Sequence, residues 1–199
     1  MIVPLAPVYD KEFMPVHVKF LSDFKKTPLL LGVDKDEGAY FLLYAMADYF
    51  GNNMQGNPAK INSNMFTHQL EKGMVEIGKQ PIVIDAIKFL YTQNILNSTD
   101  SYFDILDDIF GDYLFKCSVV ELANLYSNAK LPVYLYSFEH QTRELSNMYK
   151  WPKWMGVMHG YEIDYVFGVP LVTPGYTEEE RSLSRKIMKM WSTFAKTGL

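Results

Sequence analysis

A short apolar run at residues 27–33, TPLLLGV, ends abruptly in the polar sequence DKDEG. An apolar run of this length predicts a strand covered on both faces, as in an α/β sheet. Charged residues just past the carboxyl end of such a strand lie where open α/β sheets place their functional sites. A second strand is predicted at 131–138, LPVYLYSF, and helical apolar spacing between the two strands predicts covering helices. The predicted fold class is therefore α/β.

Glycines and one cap define the expected helix ends. The sequence AYFLLYAMADYF at 39–50 predicts one buried helix, ended by Gly51. Helices are also expected at 63–77 and 81–95, and Gly111 is expected to separate a helix at 98–111 from another at about 113–127. Thr177 followed by Glu180 forms a capping box ahead of a C-terminal helix that Gly198 should end.

Length and charge exclude several classes of protein. The 199 residues suggest one domain or a large part of one, and the net charge of −4 without a clustered basic face argues against nucleic-acid binding. No apolar run reaches the ~20 residues that a membrane span needs. The N-terminal sequence MIVPLAPVYDKEF does not have the pattern of a signal peptide and begins like the middle of a domain, so we expect a fragment.

Two residues bear on covalent modification. Cys117 is the single cysteine, so the chain can form neither an internal disulfide nor a zinc site made of thiolates. It is either a small buried apolar residue or half of a bridge to a cysteine elsewhere. Asn97 begins the sequon Asn-Ser-Thr and is a candidate glycosylation site, which supports secretion only weakly.

An acid and a histidine follow the two predicted strands. Glu37 lies just after the first strand, and the loop after the second carries His159, 122 residues further on (159 − 37). In an α/β-hydrolase the catalytic triad follows the chain order serine, acid, histidine, so these residues fit the second and third members. His159 would be the general base, and Glu37 would fix its tautomer. From the pattern alone, a structural histidine and a solvated glutamate remain open alternatives.

The nucleophile that would complete such a triad is not found. None of the eleven serines lies in a Gly-x-Ser-x-Gly sequence, and there is no HGGG-type oxyanion loop. The chain therefore has two of the three triad positions.

Two long motifs, GVDKDEGAYFLLY at 32–44 and WPKWMGVMHGYEIDYVFGVPL at 151–171, closely resemble the type-B carboxylesterases and, within them, the cholinesterases, with acetylcholinesterase as the nearest type. The similarity also covers IFGDYLFKC and SRKIMKMWSTFAKTG, so it extends over nearly all of the chain. It implies that residues 1–199 are the C-terminal part of a larger α/β-hydrolase domain.

The resemblance assigns roles residue by residue. Glu37 matches the triad acid and His159 the triad base, while Glu162 matches a buried acid beside the histidine. Cys117 matches half of a disulfide whose partner lies beyond this chain. Asp34 departs from the family, which usually has Asn or a similar small polar residue there. The matched substrate-binding positions are aromatic: Tyr40, Phe41, Tyr44, Trp151 and Tyr161.

The implied parent protein is an acetylcholinesterase-like serine esterase that hydrolyses choline esters, needs no cofactor or metal, and is secreted or membrane-anchored. Its oligomeric state stays open, a homo-oligomer included. The alternative is a non-catalytic adhesion or binding protein of the same fold, against which the presence of Glu37, His159 and Tyr161 argues. Without the missing N-terminal part of the domain, we expect the 199-residue chain to be inactive and to expose an unusually large apolar patch.

Overall fold

Two parallel strands form the sheet that positions the candidate site. The computed structural model describes residues 10, 12, 24–51, 58–73, 80–93, 102–143 and 151–199. Strand β1 (Leu29–Asp34) pairs with β2 (Val133–Phe138), so that Leu29 lies opposite Val133 and Asp34 opposite Phe138. Both predicted strands are present, each two residues shorter at its start than the predicted run. Their carboxyl ends meet at one edge of the sheet.

The first helical segment after β1 is broken where one helix was predicted. Helix α1 (Ala39–Ala45) and helix α2 (Ala47–Phe50) are separated at Met46, whose φ of −115° and ψ of 33° are not helical. The expectation that this segment is buried all round is also wrong, because Tyr44 is 54% exposed. Gly51 ends α2 as predicted, with a φ of 63°.

Two helices and a short turn follow. A 3₁₀ turn at Pro58–Lys60 precedes α3 (Ser63–Gly73), and Pro81 begins α4 (Pro81–Thr92), where its missing N–H costs no helical hydrogen bond. The predicted extensions of these helices to residues 77 and 95 fall on residues outside the described ranges.

Gly111 does not separate two helices, contrary to the prediction. Helix α5 (Tyr102–Gly111) runs through a π-helical turn (Asp112–Lys116) into α6 (Cys117–Asn128), and Gly111 has helical angles of −60° and −46°. A Cβ at Gly111 would lie 3.3 Å from Cβ of Glu37 and from the backbone nitrogen of Gly38. The glycine therefore allows α5 to approach the loop that carries the candidate acid.

The C-terminal part contains short helices and one long helix. A 3₁₀ turn (Lys153–Met155) is followed by α7 (Ile163–Val166), α8 (Val169–Val172) and α9 (Glu178–Thr197). The capping box is confirmed: the Glu180 backbone N–H donates to Thr177 Oγ1 at 3.2 Å, and the Thr177 N–H donates to Glu180 Oε2 at 2.7 Å. Gly198 ends the helix with a φ of 72°.

Two apolar clusters make up the core of the described residues. The first joins α1 to α5 and includes Met155 and Met158, and the second joins β2 to α7 and α9 through Phe138 and Tyr165. Tyr161 packs against both clusters. The loop that carries His159 is therefore held between two packed units. In the described part of the chain, every helix is too short or too polar to cross a membrane.

Candidate active site

Glu37 is held at the carboxyl end of β1 by a hydrogen bond from the strand itself. The Asp34 backbone N–H donates to Glu37 Oε1 at 2.8 Å. The second oxygen, Oε2, lies 2.6 Å from Nδ1 of His159. Glu37 is only 5% exposed, so this carboxylate exchanges most of its hydration for these two bonds.

The backbone on both sides of His159 is fixed by two other acids, one at the end of β1 and one just after it. On one side, the Val157 N–H donates to Asp36 Oδ2 at 2.6 Å, and the Asp36 N–H donates to the Val157 carbonyl at 2.9 Å. On the other side, Asp34 Oδ2 accepts from the Gly160 N–H at 2.8 Å and from the Tyr161 N–H at 3.0 Å. The loop thus continues the sheet edge, which orients the histidine toward Glu37.

Gly160 lies in the left-handed region of the backbone, with a φ of 82°. A glycine adopts this conformation without the steric cost that a side chain would impose. The sharp turn lets two successive N–H groups, those of residues 160 and 161, point at one carboxylate oxygen.

The His159 imidazole packs against aromatic rings and one acid and keeps one part exposed. Phe115, from the π-helical turn, stacks on it with ring centroids 4.4 Å apart, and Phe41 of α1 lies 5.3 Å away. The hydrogen bond that Glu37 Oε2 accepts from Nδ1 raises the pKa of His159, whereas burial acts in the opposite direction. Since Nδ1 contacts Glu37, Nε2 is the ring nitrogen left for proton transfer to another group.

A cavity of about 320 Å³ opens beside the histidine. His159 and three of the five predicted substrate-binding aromatics, Tyr40, Trp151 and Tyr161, line it. Tyr40 and Trp151 meet edge to face with their centroids 5.9 Å apart, and Tyr161 accepts a hydrogen bond from the Thr142 N–H at 3.2 Å.

The other two predicted aromatics lie at the side of this cavity. Phe41 contacts the imidazole itself rather than the cavity, and it also lies 5.1 Å from Phe115. Tyr44 is more exposed, and its hydroxyl is 2.9 Å from that of Tyr40. Ring contacts therefore connect Tyr40, Phe41, Tyr44 and Trp151, of which Tyr44 is the most exposed. Tyr161 joins them only as a further residue of the cavity lining.

A second pair of acids, Asp34 and Glu162, lies next to the Glu37–His159 pair. Burial raises the pKa of Asp34 to about 9, assisted by a hydrogen bond with Glu162 and by the charges of Glu162 and Glu37. Glu162 is half-buried and precedes α7. Its charge also contributes to the raised pKa of His159.

Two further predicted residues lie away from this cluster. Cys117 begins α6 and is exposed, so its interpretation as a small buried apolar residue is wrong. As the single cysteine it is a free thiol in this chain. Asn97 lies outside the described residues.

Several contributors to the geometry have roles that the sequence reasoning did not assign. Phe115 is one residue of a motif that supported the family resemblance, but nothing in its spacing indicated stacking on a histidine. Asp34 ends the strand and Asp36 lies two residues further on. This period of two was the available sign that both side chains point to the same loop.

The chain is similar along its whole length to known esterases. The model of the carboxylesterase family matches residues 1–199. Acetylcholinesterase of Bungarus fasciatus is 38% identical over 98% of this chain, which covers 31% of that protein. Cholinesterase of Mus musculus is 36% identical over 98% of this chain, which covers 32% of that protein. The chain thus spans about a third of the length of these relatives.

The parallel strands, the covering helices and the acid and histidine beyond the strand ends agree with the α/β-hydrolase fold of that family. With a match that extends over all 199 residues, this chain belongs to the carboxylesterase family.

Proposed function

We propose that this chain is the C-terminal part of the catalytic domain of a choline-ester hydrolase and supplies the acid and the base of its serine-esterase triad. The observation that carries the proposal is the 2.6 Å contact between Glu37 Oε2 and His159 Nδ1, with the acid buried and the imidazole at a cavity. A buried carboxylate in this position fixes the tautomer of a neutral imidazole and stabilises the imidazolium that forms during proton transfer.

The proposed reaction assigns one task to each residue. His159 Nε2 removes the proton from a serine hydroxyl supplied by another segment as that oxygen attacks the ester carbonyl carbon. The same nitrogen then returns the proton to the departing alcohol oxygen, which leaves an acyl-serine. In the second half, His159 removes a proton from water as the water oxygen attacks the acyl carbon. It then returns that proton to the departing serine oxygen, which releases the carboxylic acid and restores the serine and the neutral imidazole.

The lining of the cavity supports a cationic alcohol as the leaving group. Tyr40, Trp151 and Tyr161 offer aromatic faces, and a quaternary ammonium over such a face gains about 0.5–2 kcal/mol per ring. The nearby acids, Glu37 and Glu162 among them, add a negative potential that favours the same charge. The names of the two relatives, an acetylcholinesterase and a cholinesterase, point to the same substrate class.

The remaining features of the proposal concern the whole protein. The parent would be secreted or membrane-anchored, and Cys117, exposed at the start of α6, would form a disulfide with a cysteine outside this chain. On its own the 199-residue chain would be inactive, since none of its serines lies in the Gly-x-Ser-x-Gly sequence.

A chimera tests the catalytic assignment. The matching segment of the Bungarus fasciatus acetylcholinesterase is replaced by this chain, and hydrolysis of acetylcholine is measured. We expect activity that His159→Ala and Glu37→Gln each reduce by at least about 10³-fold, in the range seen when triad members are removed from serine hydrolases. His68→Ala, at an exposed position on α3, is the matched control and should keep the parental rate. Equal activity of the His159→Ala and parental chimeras would refute the assignment.

The isolated chain provides a second test that does not depend on the chimera folding. Choline is titrated into it while tryptophan fluorescence is recorded, and we expect a saturable change that Trp151→Leu abolishes. The control variant Trp191→Leu, on α9 and away from the cavity, should keep the change. The chain should also show no esterase rate above background. A rate that disappears with His159→Ala would contradict its predicted inactivity.

A further inference from the structure

Asp34 connects the acid and the base of the candidate site. It is the last residue of β1 and is only 3% exposed. Its backbone N–H donates to Glu37 Oε1 at 2.8 Å, and its Oδ2 accepts the N–H groups of Gly160 and Tyr161. One residue therefore fixes the carboxylate on one side and the backbone just after His159 on the other.

The other carboxyl oxygen of Asp34 meets a second acid. Asp34 Oδ1 and Glu162 Oε2 are both buried, and neither accepts a hydrogen bond from a backbone N–H or from a hydroxyl, amide or cationic side chain of the described residues. The two carboxyl groups are nevertheless within hydrogen-bonding reach of each other. Two carboxylates are acceptors only, so a hydrogen bond between them requires one proton. The buried pair is consistent with one shared proton and with a total charge of −1.

We propose that Asp34 is a positioning residue that works as a neutral carboxylic acid: its Oδ2 holds the His159 loop while its Oδ1–H donates to the carboxylate of Glu162. This inference rests on the proposed role of Glu37 and His159 as the acid and base of a triad. Asp34 itself does not contact the substrate cavity and acts through the position and charge state of its neighbours.

The groups that face Asp34 favour the neutral form. Glu37, on the loop after β1, and Glu162, before α7, both carry negative charge toward it. From β2, Tyr136 also faces this cluster, and burial together with the charges of the three acids raises its pKa to about 12. His159 directly precedes Gly160, whose backbone N–H donates to Asp34 Oδ2. Among the described groups that shift the pKa of Asp34, the hydrogen bond from the Tyr161 N–H favours the ionised form, and burial together with the two acids outweighs it.

Keeping Asp34 neutral has a consequence for catalysis. The Glu37 hydrogen bond already raises the pKa of His159. A general base works best when its pKa lies near the working pH, because a higher value leaves it protonated. A second negative charge at Asp34 would raise the pKa of His159 further. Because the proton is shared with Glu162, Asp34 holds the His159 loop through Oδ2 without adding that extra charge.

The variant Asp34→Asn distinguishes a neutral Asp34 from an ionised one. An asparagine has the shape of the protonated acid, since its Oδ1 accepts the two backbone N–H groups and its Nδ2 donates to Glu162. The 199-residue chain is studied by NMR, and the Hε1 resonance of His159 is followed between pH 5 and pH 9. We expect the His159 midpoint in Asp34→Asn to stay within about 0.3 pH unit of the wild type, whereas loss of a negative neighbour would lower it by about one unit.

A direct measurement accompanies this titration. With aspartate labelled at the carboxyl carbon, the Asp34 signal should titrate well above pH 7, near the pKa of about 9 that its surroundings favour. A midpoint near the ordinary aspartate value of about 4 would overturn the proposal. The variant Glu162→Gln, which removes the charged partner, should lower the midpoints of both Asp34 and His159.

Whether the Asp34 variants fold also tests the neutral state of Asp34. An Asp34→Asn chain that fails to fold would contradict the proposal, because the amide reproduces every hydrogen bond of the neutral acid. Asp34→Leu, which keeps the size and removes the bonds, should release the His159 loop and weaken the Glu37–His159 contact. These readouts are titrations and not turnover. A normal Asp34 midpoint would leave the proposed esterase function standing, and an inactive chimera would leave the shared proton standing.

Discussion

The contact between Glu37 and His159 makes a strong prediction about the imidazole. In Glu37→Gln the carboxylate that lies 2.6 Å from Nδ1 is replaced by a neutral amide of the same shape. Because the first cause of the raised pKa of His159 is its hydrogen bond with Glu37, the variant should have a lower pKa at this histidine.

The expected size of this decrease in the pKa of His159 follows from how far the two side chains are exposed to water. An opposite charge at this distance changes a pKa by about 1–3 units, with the larger values in sites closed to water. Glu37 is buried, but the His159 side chain is 41% exposed, so solvent screens part of the interaction. We therefore expect a decrease of about one unit, measured from the Hε1 resonance of His159 by NMR. The control variant Glu71→Gln, at an exposed position on α3, should leave the His159 midpoint unchanged.

The same pair predicts how stability depends on pH. The pKa of His159 is raised above the value of an unfolded histidine, about 6.5, so the ion pair stabilises the fold fully below that pH. This contribution disappears as the pH rises through the folded pKa. The difference in unfolding free energy between wild type and Glu37→Gln should therefore be larger at pH 5.5 than at pH 8.5. An unchanged His159 midpoint, or a difference that grows with pH, would refute this account of the site.

Three further substitutions test the scaffold by urea denaturation. Burial raises the pKa of Asp107 to about 8, so the unfolding free energy of the wild type should fall by up to about 1.4 kcal/mol per pH unit between pH 4 and pH 8. Asp107→Asn has no such carboxyl group, so its stability relative to the wild type should rise from pH 5 to pH 7.5. A difference that stays constant with pH would contradict this. Thr177→Ala removes the capping-box acceptor and should cost about 1 kcal/mol, whereas Thr177→Ser should cost less. Leu106→Ala, at a fully buried position, should lower the unfolding free energy by about 2–5 kcal/mol. Its control Val172→Ala, at an 84% exposed position, should lower it by less than about 0.5 kcal/mol. Equal losses in the two variants would contradict the assigned core.

Helix ends and strands were predictable where local chemistry alone decides them. The capping box of Thr177 and Glu180 needs three consecutive helical residues and nothing else, so it formed as predicted. Gly111 was misread because the same residue type can end a helix or permit a close approach. Only the packing of α5 against the Glu37 loop selects the second role.

The sequence alone determined that an acid and a histidine follow two strands of an α/β sheet, because strand composition and the polar residues after a strand are local properties. It also determined the family, because the motifs around both residues are long. Tertiary structure alone decided that the two side chains meet at 2.6 Å across 122 residues, that Phe115 stacks on the imidazole, and that Asp34 and Glu162 are forced together. These contacts depend on the register of β1 with β2 and on the turn at Gly160, which bring distant segments to one edge of the sheet.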